Sequence, residues 1–207
     1  MMAKTPARLL MHPAAKPLLF NAALLPLAWL MAGALLDRLG ANPAEALIRG
    51  LGDWSLRLLW LTLVITPLRR WSGLAALARF RRMLGLFTAF YVSLHLLAYG
   101  WLDMGLVVDD IARDIAKRPF ILVGFSAWLL LLPLAATSFN RAIRALGAKR
   151  WQALHRCVYL IAGLGLLHFF WMRAGKHNFG EPLVYAVVLG VLLAARLPQR
   201  WWPRWAT

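Results

Sequence analysis

Apolar residues in this chain come in long runs, not in the short alternations or half-apolar stripes of a soluble fold. Six runs stand out, at 17–36, 51–68, 83–102, 119–138, 151–172 and 182–198. Each approaches the roughly 20 mostly apolar residues that a helix needs to cross a bilayer. Turn-forming and charged residues separate them, among them Asn42-Pro43, Thr66-Pro67, Asp109-Asp110 and Glu181-Pro182. The second run is the least uniform, because it contains Asp53 and Arg57. The pattern predicts an all-α membrane protein. A six-transmembrane-helix bundle would occupy 17–198, between an amino-terminal segment 1–16 and a tail 199–207.

Composition agrees. Of 207 residues, 61% are hydrophobic and only 15% charged, with a mean hydropathy of +0.62. A soluble domain carries about 25% charged and 45–50% apolar residues, and a chain this size has too little interior to hide the excess. The single Cys157 allows no intrachain disulfide and excludes a metal or iron–sulfur site built from several cysteines. The basic start runs into a long apolar stretch without a small-residue cleavage site, so no cleavable signal peptide is expected. No Gly-rich phosphate loop follows a strand, so nothing here resembles a nucleotide-binding domain.

The net charge of +16 sorts by side. The amino terminus, 69–82, 139–150 and the end after 195, with Arg156, hold sixteen of the 24 Lys and Arg and none of the eight Asp and Glu. The alternate segments hold all eight acids and the remaining eight bases. The positive-inside rule places the basic side, with both termini, in the cytoplasm. The basic charge is thereby explained by topology and anionic membrane lipid, not by nucleic acid. Trp54, Trp71, Trp101, Trp151, Trp171, Trp201 and Trp202 fall near the expected span ends, as interfacial anchors do.

The chemistry rests on histidines. His12 and His177 lie in the polar segments and read as solvated surface residues. His95 lies in the third run, and His155 and His168 in the fifth. Ionisable side chains inside a span are costly and mark function by default. With no acid expected at comparable depth, a neutral imidazole suits a metal better than a proton relay. Haem iron is its common partner, held between facing helices of a bundle. At about 1.5 Å per residue, His95 lies roughly 18 Å from the cytoplasmic end, His168 roughly 25 Å and His155 roughly 6 Å. Depth therefore favours His95 and His168 on one haem toward the periplasmic side. His155 would belong to a second, cytoplasmic-side site without a histidine partner. On one ideal helix His155 and His168 would stand about 140° apart, with Gly163 and Gly165 between them able to permit a bend. One haem using His95 with either partner is the alternative. Arg57, Arg81, Arg82, Arg150 and Arg156 could hold propionates, a quinone head group or a flavin phosphate, against the plainer reading of topology and snorkelling.

Nearly the whole chain resembles the MsrQ (YedZ) family. The resemblance runs through Ile65-Thr66-Pro67-Leu68-Arg69, Arg81-Arg82-Met83-Leu84-Gly85-Leu86, Leu94-His95-Leu96, Arg118-Pro119-Phe120, Thr137-Ser138 and Trp151-Gln152-Ala153-Leu154-His155, then through Tyr159-Leu160 to His168. The resemblance implies membership of the ferric-reductase-like transmembrane superfamily, whose members stack two haems between the third and fifth spans. Here the third span offers only His95, and Arg81 stands fourteen residues before it. The resemblance implies a haem b electron-transfer subunit of the bacterial inner membrane, itself non-catalytic. It would take electrons from the quinone pool or a cytoplasmic flavin reductase, with FMN as a further cofactor. It would deliver them to MsrP, a periplasmic molybdenum enzyme that reduces methionine sulfoxide in oxidised proteins. The rivals are a cytochrome b subunit of another oxidoreductase, a proton-coupled transporter relaying through histidines, and a structural anchor.

Overall fold

The computed structural model describes residues 4–174 and 179–196. His177, Lys176, Trp201, Trp202 and the tail 199–207 lie outside the described residues. The helices are α1 (Lys4–Met11), α2 (Ala15–Leu35), α3 (Pro43–Ser72), α4 (Ala78–Ala98), α5 (Val108–Lys117), α6 (Pro119–Ala136), α7 (Asn140–His155), α8 (Val158–Ala174) and α9 (Gly180–Ala194). A 3₁₀ turn, Ala75–Leu77, leads into α4, and a π-helical turn, Tyr99–Asp103, ends it. No strand occurs among the described residues.

Four helical stretches are long and apolar enough to cross a membrane: Ala15–Leu35, Ala75–Asp103, Pro119–Ala136 and Asn140–Ala174. The predicted second and sixth runs are also helical but differ in kind. α3 has 30 residues, and its first half carries Glu45, Arg49, Asp53 and Arg57. α9 is apolar but only 15 residues long. The short segments between runs are more ordered than expected. α1 forms before the first run, α5 fills 108–117, and α7 covers 140–155 with a break at Gly147, whose φ of 72° is left-handed.

The fifth run is not one straight helix. α7 stops at His155, a turn at Arg156-Cys157 intervenes, and α8 starts afresh at Val158. The bend anticipated at Gly163 and Gly165 therefore falls earlier, and those two glycines sit inside α8. The 140° separation of His155 and His168 on a single ideal helix does not apply.

α3 is the central element. Its start is fixed locally: the Asn42 side chain accepts from the Glu45 backbone N–H at 3.1 Å, and Pro43 occupies the first turn. Gly73, with φ of 69°, closes it. Substituting Asn42→Ala removes the cap and should lower stability by about 1 kcal/mol, read as an earlier unfolding transition in detergent. One face of α3 packs Leu56, Leu59, Trp60 and Leu63 against α6, α8 and α9, through Leu131, Ile161, Phe169 and Leu189. Another packs Leu51, Leu58 and Ile65 against α2 and α4, through Leu30, Leu84, Phe87 and Tyr91.

α2 contains Pro26, which supplies no N–H to its helix. The Tyr91 hydroxyl of α4 enters the ladder there. It donates to the Ala23 carbonyl at 2.8 Å and accepts from the Leu27 N–H at 3.0 Å. Pro67 in α3 likewise leaves the Leu63 carbonyl without its usual partner, and the Arg196 guanidinium donates to that carbonyl. The outer surface is apolar: Trp29 is 70% exposed, Leu25 66% and Leu183 65%. Patches of this kind are rare on soluble monomers and suit contact with lipid.

Candidate functional site: a histidine pair in an intramembrane chamber

α3, α4, α6 and α8 enclose a cavity of about 450 Å³. Its deep walls are apolar, including Leu59, Val92, Ala127, Leu131 and Ile161. Its other end lies where α3 and α6 begin and α4 and α8 finish. There Asn42, Glu45, Arg49, Asp53, Asp103 and Arg118 line it. Acids do therefore reach the histidine chamber, contrary to the expectation from depth alone. Glu45 pairs with Arg49 one turn along α3, and Arg118 is held by Asp114 at 2.9 Å. Tyr99, in the π-helical turn, donates to the same Asp114 at 2.7 Å and ties the end of α4 to α5.

His95 on α4 and His168 on α8 both line this chamber. Their ring centroids lie 6.1 Å apart, with planes at 73°. Each ring is held in the same way. His95 Nδ1 lies 2.8 Å from the Ile48 carbonyl of α3, and His168 Nδ1 lies 2.7 Å from the Phe120 carbonyl of α6. A carbonyl only accepts, so each Nδ1 carries the proton and donates. Each Nε2 is then left with its lone pair, the state in which a neutral imidazole binds a metal. Two imidazoles on opposite sides of one metal, at a bond length of about 2.0 Å, put their centroids roughly 6.3 Å apart. The observed 6.1 Å fits a bis-imidazole iron. Phe120 stacks on His168 at 6.0 Å, and Trp128 donates to Ser93 at 3.1 Å, bracing α6 against α4.

His155 stands apart from this pair. It ends α7 and does not line the chamber. Its ring lies on Trp151, with centroids 3.8 Å apart. Its Nδ1 lies 3.1 Å from the Trp151 carbonyl, and its Nε2 lies 3.4 Å from the Ser138 hydroxyl. Among the described residues no group of three or more His, Cys, Asp or Glu could hold a metal ion. His12 is exposed and accepts from the Ala14 N–H at 3.2 Å. Of the arginines singled out, Arg57 donates to the Tyr185 hydroxyl at 3.1 Å and lies over Trp54. Arg82 donates to Asn140 at 2.7 Å, and Arg81 reaches Thr66 at 3.5 Å. Arg150 and Arg156 are exposed on α7 and in the turn after it.

Sequence reasoning missed Gly52 and Gly124, whose backbones lie against the two imidazoles. It also missed the carbonyl partners, because a backbone acceptor has no residue type to betray it.

Residues 51–166 match the family described as ferric reductase like transmembrane component. That segment contains α4, α6 and most of α3, with His95 and His155. A protein of Polaromonas naphthalenivorans named protein-methionine-sulfoxide reductase heme-binding subunit MsrQ is 68% identical over 93% of this chain and 88% of its own length. The protein of that name from Bordetella pertussis is 54% identical over 91% of each chain. The magnetosome protein MamZ of Magnetospirillum gryphiswaldense is 45% identical over 89% of this chain but only 29% of its own length. No solved structure matches the chain significantly. With apolar helices of membrane-crossing length and full-length relatives of this identity, the chain belongs to the MsrQ family of multi-pass, ferric-reductase-like membrane proteins.

Proposed function

We propose that this chain is the haem b electron-transfer subunit of a periplasmic methionine sulfoxide reductase system. One observation carries the reading: His95 and His168 face one chamber at 6.1 Å, each with Nδ1 fixed on a helix carbonyl. The names of the relatives, heme-binding subunits, agree with it. His95 and His168 would hold the haem, one from α4 and one from α8. Haem iron between two imidazoles supplies one-electron transfer without a change of ligand. The chain's own part is to fix both rings, to line the deep chamber with apolar side chains, and to keep bulk water from it. His155, close to the opposite end of the bundle, belongs to a second site toward the electron donor.

The topology belongs to the same reading. α2, α3, α4, α6, α8 and α9 are the six spans, and the segregated basic charge sets both termini in the cytoplasm of a bacterium's inner membrane. The polar mouth of the chamber then faces the periplasm. The acceptor is the periplasmic molybdenum enzyme MsrP, docking near 103–118 and 172–181. Quinol or a cytoplasmic flavin reductase is the donor, with FMN as a further cofactor. A cytochrome b role in another complex is favoured by one finding, the MamZ match, in which a chain like this one forms under a third of a longer protein.

The test is a reoxidation assay. The purified chain, reduced by quinol, is mixed with MsrP and peptide methionine sulfoxide under anaerobic conditions. The haem absorption should return to its oxidised form only when both are present. A chain that stays reduced with the complete acceptor system would overturn the assignment of partner.

A further inference from the structure

The two imidazoles are seated by one repeated device. His95 donates to the carbonyl of Ile48, and Gly52 stands four residues on in α3. His168 donates to the carbonyl of Phe120, and Gly124 stands four residues on in α6. In an α-helix the carbonyl of residue i already accepts from the N–H of residue i+4. Each imidazole therefore uses the second lone pair of a carbonyl whose first is taken by the glycine's own N–H.

To reach that lone pair the ring must lie over the glycine. A Cβ on Gly124 would stand 2.7 Å from His168 Nδ1 and 2.9 Å from its Cε1. A Cβ on Gly52 would stand 3.1 Å from His95 Cε1 and 3.2 Å from its Nδ1. Neither glycine has the left-handed backbone that would otherwise require it, since the left-handed glycines among the described residues are Gly40, Gly73, Gly105 and Gly147. Alanine is the better helix former, so these two positions need a reason to lack a side chain, and the rings supply it. By contrast, a Cβ on Gly190 would meet nothing within 4 Å.

We propose that Gly52 and Gly124 are positioning residues, which with the Ile48 and Phe120 carbonyls form two matched cradles that set the orientation and the tautomer of the axial histidines. This rests on the reading of His95 and His168 as ligands of one haem. A ligand histidine whose other nitrogen donates to a carbonyl is oriented and made more basic by it. A methyl group at Gly124 moves the His168 ring off its carbonyl, and one at Gly52 disturbs His95 less, because the approach there is longer.

The test uses the full chain in detergent, as wild type, Gly124→Ala, Gly52→Ala and Gly190→Ala. Haem retention is titrated, and the oxidised protein is examined by electron paramagnetic resonance. With the imidazole planes at 73°, wild type is expected to show a strongly anisotropic low-spin signal. Gly124→Ala should lose about 10–100-fold in haem retention, with a shifted largest g value or a high-spin signal. Gly52→Ala should keep haem and show a smaller g shift, and Gly190→Ala should superimpose on wild type. A parallel measurement separates cradle from fold: in haem-free protein carrying His168→Ala, the change Gly124→Ala should leave the unfolding temperature unlowered, because no ring remains to meet the methyl. Gly124→Ala with wild-type retention and spectrum overturns the proposal. So does a loss of stability from Gly124→Ala that persists without the His168 ring. A wild-type chain with no bis-imidazole low-spin signal overturns the ligand reading together with it.

Discussion

Replacing His168 by alanine should strip the chain of haem, and replacing His95 should do the same. On the proposed reading each would hold the haem from a different helix, and among the described residues no other histidine lines the chamber. Loss of an outer-shell partner already costs roughly 10–100-fold in metal affinity, and loss of the ligand itself should exceed that. The six-coordinate spectrum should collapse in both variants, and electron delivery with it. His168→Met is the informative contrast. A thioether can take the axial position, and Met/His ligation raises the potential of haem iron. That variant should stay six-coordinate and shift upward in a redox titration. His155→Ala should leave the chamber's haem signal in place, since His155 lies on Trp151 and beside Ser138, outside the chamber. A structural-anchor role predicts that none of these variants changes electron delivery, and a transporter predicts a protein without a haem spectrum.

Tyr91→Ala should be the most destabilising single substitution away from the histidines. Tyr91 is fully buried between α2 and α4, and its hydroxyl occupies the gap beside Pro26. Removing a buried aromatic ring costs about 3–5 kcal/mol. The ring also makes an edge contact with Phe90, at 5.7 Å between centroids. Tyr91→Phe keeps the ring and removes only the bridge between Ala23 and Leu27. Its cost should be about 1–3 kcal/mol, the price of leaving buried backbone groups without partners. Unfolding in detergent separates the two contributions. Equal losses for Phe and Ala would mean that the hydroxyl alone fixes α2, and no loss for Phe would mean that α2 closes its own ladder across Pro26.

Much of this was legible because bilayer-scale apolar runs are a strong signal. All six predicted runs are helical among the described residues, and the boundaries of α2 and α6 lie within about two residues of expectation. The nearness of His95 to His168 also agrees with rise per residue, even though the fifth run, counted there as one helix, breaks at Arg156-Cys157. What escaped had local causes. The break at Arg156-Cys157 carries no proline or glycine to announce it. α3 continues eight residues before its apolar run, because Asn42 and Pro43 set its start on polar sequence. Glu45, Asp53 and Asp103 line the chamber, because four helix ends converge there, which one-dimensional spacing does not express. The glycine cradles are invisible for the same reason: a glycine in a helix has no pattern until the ring that lies over it is placed.

The most direct measurement is the reduced-minus-oxidised absorption spectrum of the purified chain, with a pyridine haemochrome assay for haem per chain. The account predicts a coloured protein with a six-coordinate b-type spectrum that is lost in both His95→Ala and His168→Ala and retained in His155→Ala. A colourless chain that stays apo when offered haem, or a spectrum unchanged by either chamber histidine, would contradict it.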